Sequence, residues 1–138
     1  MKATWVAVLV AGLLGACAAN KPKEPPPKPF AGTRWQVVLE LPVKGEQPWL
    51  RFGDGRMEGF GGCNRVAARY VQDTVGARAI VIGRIEGGMR ACDPGTLAAE
   101  QGVLQVLQAV SSYSITGDAM SMTGSAGTVR LRAVEAKP

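Results

Sequence analysis

The sequence predicts one α+β domain, in which a small curved antiparallel β-sheet packs around a single α-helix. Short segments that alternate apolar and polar residues recur from residue 35 onward, as in strands with one buried face. One longer segment after Asp93-Pro94 has apolar residues at helical spacing instead. Strands that precede and follow one helix in the sequence indicate the α+β class, and residues 30–138 are enough for one small core.

The first strands are predicted from alternation and turn residues. Trp35 to Leu41 places its odd-numbered residues, all apolar, on one face. Trp49 to Phe52 is a second apolar run, and Gly53-Asp54-Gly55 predicts a tight turn into a third strand at Arg56 to Phe60. Further β-rich runs occupy residues 69–74 and 79–85.

The helix and the closing strands follow. Asp93 is a good N-cap and Pro94 suits the first helical position. A broad apolar stripe follows, which we interpret as core packing rather than a partner groove; it comprises Leu97, Val103, Leu104, Val106, Leu107 and Val110. Gly117-Asp118 then predicts a hairpin between residues 113–116 and 119–123, and Val129 to Ala133 alternates as a last strand.

The charge of the chain does not indicate a nucleic-acid partner. The formal net charge is +5, from 16 Lys+Arg and 11 Asp+Glu. Four of these lysines and one glutamate precede residue 30, which leaves 12 basic and 10 acidic residues in the domain. The arginines are scattered singly along the chain, without a basic run or interleaved aromatic residues. We therefore expect no nucleic-acid binding.

The residue inventory argues against most enzymes. The chain has no histidine, which excludes Ser-His-Asp and Cys-His catalysis and His-ligated zinc. It also lacks the G-x-S-x-G and S-x-x-K motifs, and its Gly-Gly pairs suit turns better than phosphate cradles. Asp54 and Glu58 remain as candidates for a general acid/base pair, although such residues are more often solvated. We predict a protein that is not an enzyme, with no cofactor and no metal.

The N-terminus reads as an export signal. Lys2 precedes an apolar run from Trp5 to Leu14, which is too short to span a bilayer of about 30 Å. Leu14-Gly15-Ala16-Cys17 resembles the lipobox of bacterial lipoprotein precursors, in which the signal is cut before an acylated cysteine. The resemblance implies a signal peptide at residues 1–16 and lipidation at Cys17. An ordinary secreted protein, cut for instance after Ala19, is the alternative.

Residues 17–29 are interpreted as the lipidated cysteine and a Pro/Lys-rich spacer. Residues 20–29 read NKPKEPPPKP and cannot pack a core, so they favour extended polyproline II. Because two or more acyl chains anchor a protein stably, we expect attachment to a membrane surface without spanning it. By resemblance to lipoprotein sorting, Ala18 after the cysteine implies the periplasmic face of the outer membrane. The spacer lysines either contact head groups or are simply solvated.

Three segments of residues 30–138 resemble the META domain, or HslJ-like, family. They are the strand start at Gly32 to Val38, the Gly61-Gly62-Cys63-Asn64 motif ending at Tyr70, and Met89 to Cys92 before the helix with Glu100. The signature positions carried over are Trp35, Gly62, Cys63, Asn64, Tyr70 and Cys92. Gly88 stands where the family often has threonine, and Ala68 replaces a common glycine.

The resemblance implies a small curved sheet with a helix, found in bacterial envelope proteins, some of which are associated with heat shock, antibiotic tolerance or motility. It implies no catalytic residue. We expect Asn64 to cap a turn rather than contact a ligand. The leading interpretation is therefore a non-enzymatic, stress-related binding or scaffold lipoprotein whose partner is an envelope protein or small ligand. A pilot-like chaperone or lipid carrier is the alternative, and a hydrolase using Glu58 is the third.

The cysteines predict one disulfide. If Cys17 is acylated, Cys63 and Cys92 remain, and an exported domain meets an oxidising compartment. We predict that these two cysteines are bridged; two free buried thiols are the alternative.

Overall fold

The computed structural model describes residues 21–73, 75 and 78–135. The signal peptide and Cys17 lie outside these residues. Within them, nine strands and one helix form a single α+β domain. In chain order they are β1 (Arg34–Val37), β2 (Trp49–Gly53), β3 (Arg56–Phe60), β4 (Arg65–Gln72), β5 (Ile80–Ile82), β6 (Glu86–Gly87), α1 (Pro94–Gln108), β7 (Val110–Thr116), β8 (Ala119–Gly124) and β9 (Gly127–Val134).

The strands form one antiparallel sheet that curls until its two ends meet. The strand order is β5-β4-β3-β2-β1-β9-β8-β7, and the short strand β6 pairs with β4. A bridge between Ala79 and Ser112 joins the β5 end to β7. The N–H of Tyr113 also donates to the carbonyl of Arg78 at 3.1 Å. The predicted curved sheet is thus confirmed and is nearly closed, like a barrel.

Alternation along the strands places apolar side chains in the interior, and the outward positions are mostly polar, with exceptions such as Val71 and Val81. Trp35 and Val37 of β1 point inward, as do Leu50 and Phe52 of β2. Helix α1 packs against β5, β8 and β9 and contributes Val103 and Leu107 to the core. The helix begins as predicted, because Asp93 Oδ2 accepts the N–H of Thr96 at 3.0 Å.

Phe30 closes one end of the curled sheet. Its ring centroid lies 4.4 Å from that of Phe52 and 4.7 Å from that of Tyr113. The indole N–H of Trp35 donates to the carbonyl of Phe30 at 3.1 Å, which fixes this residue to the core. Immediately before it, the N–H of Lys28 donates to the carbonyl of Gly117 at 2.8 Å. The end of the spacer is therefore attached to the turn between β7 and β8.

Four elements differ from the sequence-based expectation. Val110, predicted in the apolar stripe of the helix, is the first residue of β7, because α1 ends at Gln108. Strand β1 ends at Val37, and Leu41, predicted to face inward, is 84% exposed. The N–H of Val38 still donates to the carbonyl of Arg130 at 2.8 Å, but Leu41 lies in the irregular segment that follows β1. Strand β4 begins at Arg65, four residues before the predicted start. The alternation of apolar and polar residues is not evident there, because two of the residues are alanines. The two-residue strand β6 had no sequence signal.

No helix among the described residues is long and apolar enough to cross a membrane.

Candidate functional site

Three segments that are distant in sequence meet at the N-terminal half of α1. The loop Gly61–Asn64 connects β3 to β4, residues 88–92 precede the helix, and Glu100 lies on the helix itself. We call these residues the signature cluster; it comprises Gly61, Gly62, Cys63, Asn64, Gly88, Arg90, Cys92 and Glu100. The predicted signature positions Gly62, Cys63, Asn64 and Cys92 thus come together.

Glu100 is the centre of the signature cluster. The residue is 6% exposed, which is unusual for a glutamate. Its Oε2 accepts the N–H groups of Cys63 at 2.9 Å and Asn64 at 2.7 Å. Its Oε1 accepts the side-chain amide of Asn64 at 2.8 Å. All three partners are N–H donors, as a carboxylate requires, so Glu100 fixes the loop to the helix.

Asn64 connects the loop to the segment before the helix. Its Oδ1 accepts the N–H of Arg90 at 2.8 Å, while its amide nitrogen donates to Glu100. The side chain is buried, and both of its polar atoms have protein partners. Asn64 is therefore used to hold two backbone segments together.

Cys63 and Cys92 form a disulfide, as the sequence predicted. Their Cα atoms lie 6.0 Å apart and their positions are 29 residues apart in the chain. The bridge closes the loop that contains β4, β5 and β6, and it lies beside the hydrogen bonds of Glu100.

Glycines allow this close packing. A Cβ at Gly61 would lie 2.5 Å from Glu100 Oε2, and one at Gly88 would lie 2.8 Å from Asn64 Oδ1. Gly62 has φ +115°, in the region that L-residues rarely adopt. The Gly-Gly pair is therefore a structural requirement of the loop and does not surround an open phosphate site.

Trp35 and Tyr70, the other signature positions, lie outside the signature cluster. Trp35 is fully buried in the core. Tyr70 packs edge-on against Phe52, with ring centroids 5.4 Å apart, and burial raises its pKa above the ordinary value. Ala68, which replaces a family glycine, lies within β4 opposite Met57. These residues shape the core rather than a surface site.

A second group of residues, not anticipated from the sequence, lies on the outer face of the sheet. Register places Arg34 directly opposite Arg51, and Arg56 directly opposite Arg69. These four arginines, on β1 to β4, form what we call the arginine face. In the linear sequence these arginines are scattered singly. Their outward strand positions were the available signal, but the pairing register between strands was needed to bring them together.

An open concavity of about 680 Å³ lies over the arginine face. Its lining includes Arg51, Arg56 and Arg69, together with Asp54 and Glu58. Asp54 lies on the exposed β2–β3 turn with φ 50°, and Glu58 is exposed opposite Arg51. The structure therefore brings the two candidate carboxylates to one surface, among arginines.

The arginine face is mostly unpaired. Salt bridges among the described residues are Arg34 with Glu46, at 2.8 Å, and Arg132 with Asp118, at 3.4 Å. The Arg34 guanidinium also lies 4.1 Å from the ring centroid of Trp49. Arg51 Nε is buried, and it has no hydrogen-bond partner within the described part of the chain. This unsatisfied donor belongs to a residue that lines the concavity.

Across residues 21–73, 75 and 78–135, no three His, Cys, Asp or Glu side chains are grouped as a metal site would require.

The fold and the signature cluster together define a class of small proteins. Each has an antiparallel, nearly closed sheet, one helix that covers it, and a disulfide beside a Gly-Gly-Cys-Asn loop. The META domain model matches residues 28–137, so the chain belongs to the META domain family. The family expected from the sequence is therefore confirmed.

Solved structures share this architecture at low sequence identity. A protein from Burkholderia xenovorans, solved by NMR, is 17% identical with a TM-score of 0.64, covering 85% of this chain and 97% of its own. A DUF4847-family protein from Bacteroides vulgatus, solved by crystallography, is 11% identical with a TM-score of 0.56, covering 78% of this chain and 96% of its own. These similarities show the fold alone. No curated protein sequence matches this chain significantly.

Proposed function

We propose that this META domain protein is a non-enzymatic binding module of the bacterial envelope. In this proposal, acyl chains on Cys17 anchor it to the periplasmic face of the outer membrane, and the concavity over the arginine face is its binding surface. A stress-related role follows from the family resemblance.

The observation that carries the proposal is the contrast between the two groups of polar residues. Within the signature cluster, the side-chain polar atoms of Glu100 and Asn64 form hydrogen bonds with one another and with the backbone. In the concavity, Arg51, Arg56 and Arg69 form no ion pair among the described residues, although acids lie nearby. Available charge on a concave surface suits recognition of another molecule.

Two further observations support export and anchoring. The Cys63–Cys92 disulfide suits an oxidising compartment. Residues 21–29 are exposed, as a spacer between an anchor and a domain would be.

Photo-crosslinking in intact cells tests the binding surface. A photoreactive residue at Glu58, in the concavity, is expected to capture one reproducible molecule from the envelope. The same residue at Gln105, on the exposed side of α1, serves as the control. Equal or absent capture at both positions would contradict the proposal. Activity screening with Glu58→Gln as the inactive control addresses the hydrolase alternative.

A carrier function is the second candidate, and one surface favours it. The space between sheet and helix is filled by Leu107, Met122 and Leu131, which argues against a ligand inside it. A shallow groove outside this core lies between residues 39–44 and α1, where Leu41 is exposed. Crosslinking from Leu41 but not from Glu58 would favour the carrier function over our proposal.

A further inference from the structure

We propose that the concavity over the arginine face binds the phosphoethanolamine head group of a membrane lipid. Arg51, Arg56 and Arg69 would hold the phosphate, and Asp54 and Glu58 would accept hydrogen bonds from the ammonium. This inference deepens the proposed function, on which it rests, by naming the ligand class of the same surface.

The placement of the arginines opposes stability. Like charges directly opposite each other on adjacent antiparallel strands repel, and this occurs at Arg56–Arg69 and at Arg34–Arg51, although Arg51 also lies opposite Glu58 on its other side. Glu46 balances Arg34, but the other three arginines form no ion pair within the described residues. A phosphate between them would replace this repulsion with charge-assisted hydrogen bonds.

Arg51 supplies the second observation. Its Nε is buried without a partner, at a residue that lines the concavity. A buried donor without an acceptor is unfavourable, so a ligand toward which the Arg51 side chain turns its guanidinium would relieve that cost. Phosphate oxygens suit the planar fork of arginine, which can donate two parallel hydrogen bonds.

The two carboxylates narrow the choice of ligand. Asp54 and Glu58 share the lining with three arginines, which leaves a net charge of only +1 on these residues. That balance is too small to favour a polyanion. Charges of both signs that do not pair with each other match a zwitterion, in which an ammonium group lies near a phosphate.

The position of the spacer favours a lipid as the source of this head group. Ala31 and Gly32, two and three residues after the end of the spacer, line the same concavity. The Lys28–Gly117 hydrogen bond holds the spacer end at the domain surface. Residues 17–29 would span roughly 40 Å as polyproline II, so an anchored domain stays near head groups, and tethering raises their effective concentration.

The test uses the mature chain without its anchor. The chain from position 17 to Pro138, carrying Cys17→Ser, is exported behind the cleavable signal of a soluble periplasmic protein. Its co-sedimentation is measured with vesicles of phosphatidylcholine alone and with added phosphatidylethanolamine or phosphatidylglycerol. We expect the tightest binding to vesicles with phosphatidylethanolamine, because the quaternary ammonium of phosphatidylcholine has no N–H.

Matched variants identify the surface. Arg56→Gln with Arg69→Gln should weaken binding by roughly fivefold for each arginine, whereas Arg84→Gln with Arg130→Gln, at exposed positions elsewhere, should not. Arg56→Lys with Arg69→Lys should also weaken binding, since lysine retains the charge but loses the fork. Glu58→Gln should reduce the preference for phosphatidylethanolamine over phosphatidylcholine.

Three results would overturn the inference. The first is equal binding of all variants to all vesicles. The second is a loss in Lys21→Gln with Lys23→Gln as large as that in the arginine variants, which would indicate attraction through the spacer. The third is competition by inorganic phosphate that equals or exceeds competition by glycerophosphoethanolamine, which would indicate a free phosphate ligand. Fatty-acid labelling of Cys17 is measured separately, so failure of the anchor and failure of this site are distinguishable.

Discussion

Glu100 has a structural role that its place in the sequence does not reveal. The helical pattern indicates a polar residue near the buried stripe, and the family resemblance marks the position. Neither predicts that the carboxylate reaches three donors on the loop at Cys63 and Asn64. Partners 36 and 37 residues away cannot be inferred from local periodicity. The structural role of the Gly-Gly pair can be predicted from the sequence, because two adjacent glycines are typical of a tight loop.

Replacement of Glu100 by glutamine tests this role. In Glu100→Gln, one oxygen becomes an NH₂ group that faces N–H donors, so at least one buried donor loses its acceptor. We expect the free energy of unfolding in urea to fall by about 3 kcal/mol. Glu86→Gln, the same change at an exposed position, is the control and should have little effect. Equal stability of both variants would show that Glu100 does not hold the loop.

Asp93 should make stability depend on pH. Hydrogen bonds from the Thr96 hydroxyl and then from its N–H lower the pKa of Asp93 below its ordinary value of 3.8. Its contribution is therefore complete above the unfolded pKa and is lost as pH falls through the folded pKa. We expect Asp93→Asn to lower Tm at neutral pH and to flatten the decline of Tm between about pH 4 and pH 2. Glu40→Gln, at an exposed position, should leave that decline unchanged.

At the scale of the elements, alternation predicted which residues face inward but not how far each strand extends. Trp35 and Val37 are buried as expected, whereas Leu41 is not, because β1 ends at Val37. The same limit applies to the arginine face. Sequence alternation can place Arg51 and Arg56 on an outer face. Their neighbours depend on hairpin register, which turn lengths and core packing decide together.

The disulfide should contribute a large part of the stability. Its loop spans 29 residues, for which the chain-entropy model gives roughly 3–4 kcal/mol. We expect Cys63→Ser with Cys92→Ser to lower the free energy of unfolding by this amount, measured by thermal and urea unfolding. The reduced wild-type protein is the matched control and should behave alike. Reaction of both thiols of the unreduced, unfolded wild type with a maleimide would refute the bridge.

Helix α1 contains a site where stability can be gained. A Cβ at Gly102 would meet no atom within 4 Å outside its neighbours and its own helix backbone. Gly102→Ala should therefore raise the free energy of unfolding by about 0.5–1 kcal/mol, because alanine favours the helix. Gly88→Ala is the opposite control, since its Cβ would lie 2.8 Å from Asn64 Oδ1. Destabilisation by Gly102→Ala would contradict the open space beside that residue.

At the scale of the whole molecule, the sequence predicted the class and the family, whereas the near closure of the sheet was not foreseen. Closure depends on Ala79 meeting Ser112 and Arg78 meeting Tyr113. These contacts join segments on either side of α1. Only the summed twist of all intervening strands determines whether they meet, and no single motif encodes that sum.

Attachment of the whole molecule to the membrane is predicted to depend on Cys17, which lies outside the described residues. Cys17→Ala should abolish incorporation of labelled fatty acid and leave uncleaved or soluble protein. Cys63→Ser is the matched control and should retain the label, because anchor and fold use different cysteines. Continued labelling of Cys17→Ala would refute the assignment. Recovery of the wild type mainly in inner-membrane fractions would refute outer-membrane sorting.

The central position of β1 has a mechanical consequence. Strand β1 follows the spacer and pairs on one side with β2 and on the other with β9. A force applied through an anchored spacer, after the Lys28–Gly117 bond and the contacts of Phe30 yield, would load β1 from its N-terminal end, along the strand. Ladders loaded in shear share the force among several hydrogen bonds, whereas an edge strand would peel off one bond at a time. A tether that begins at β1 therefore applies force to a strand that is hydrogen-bonded to a neighbouring strand on both sides.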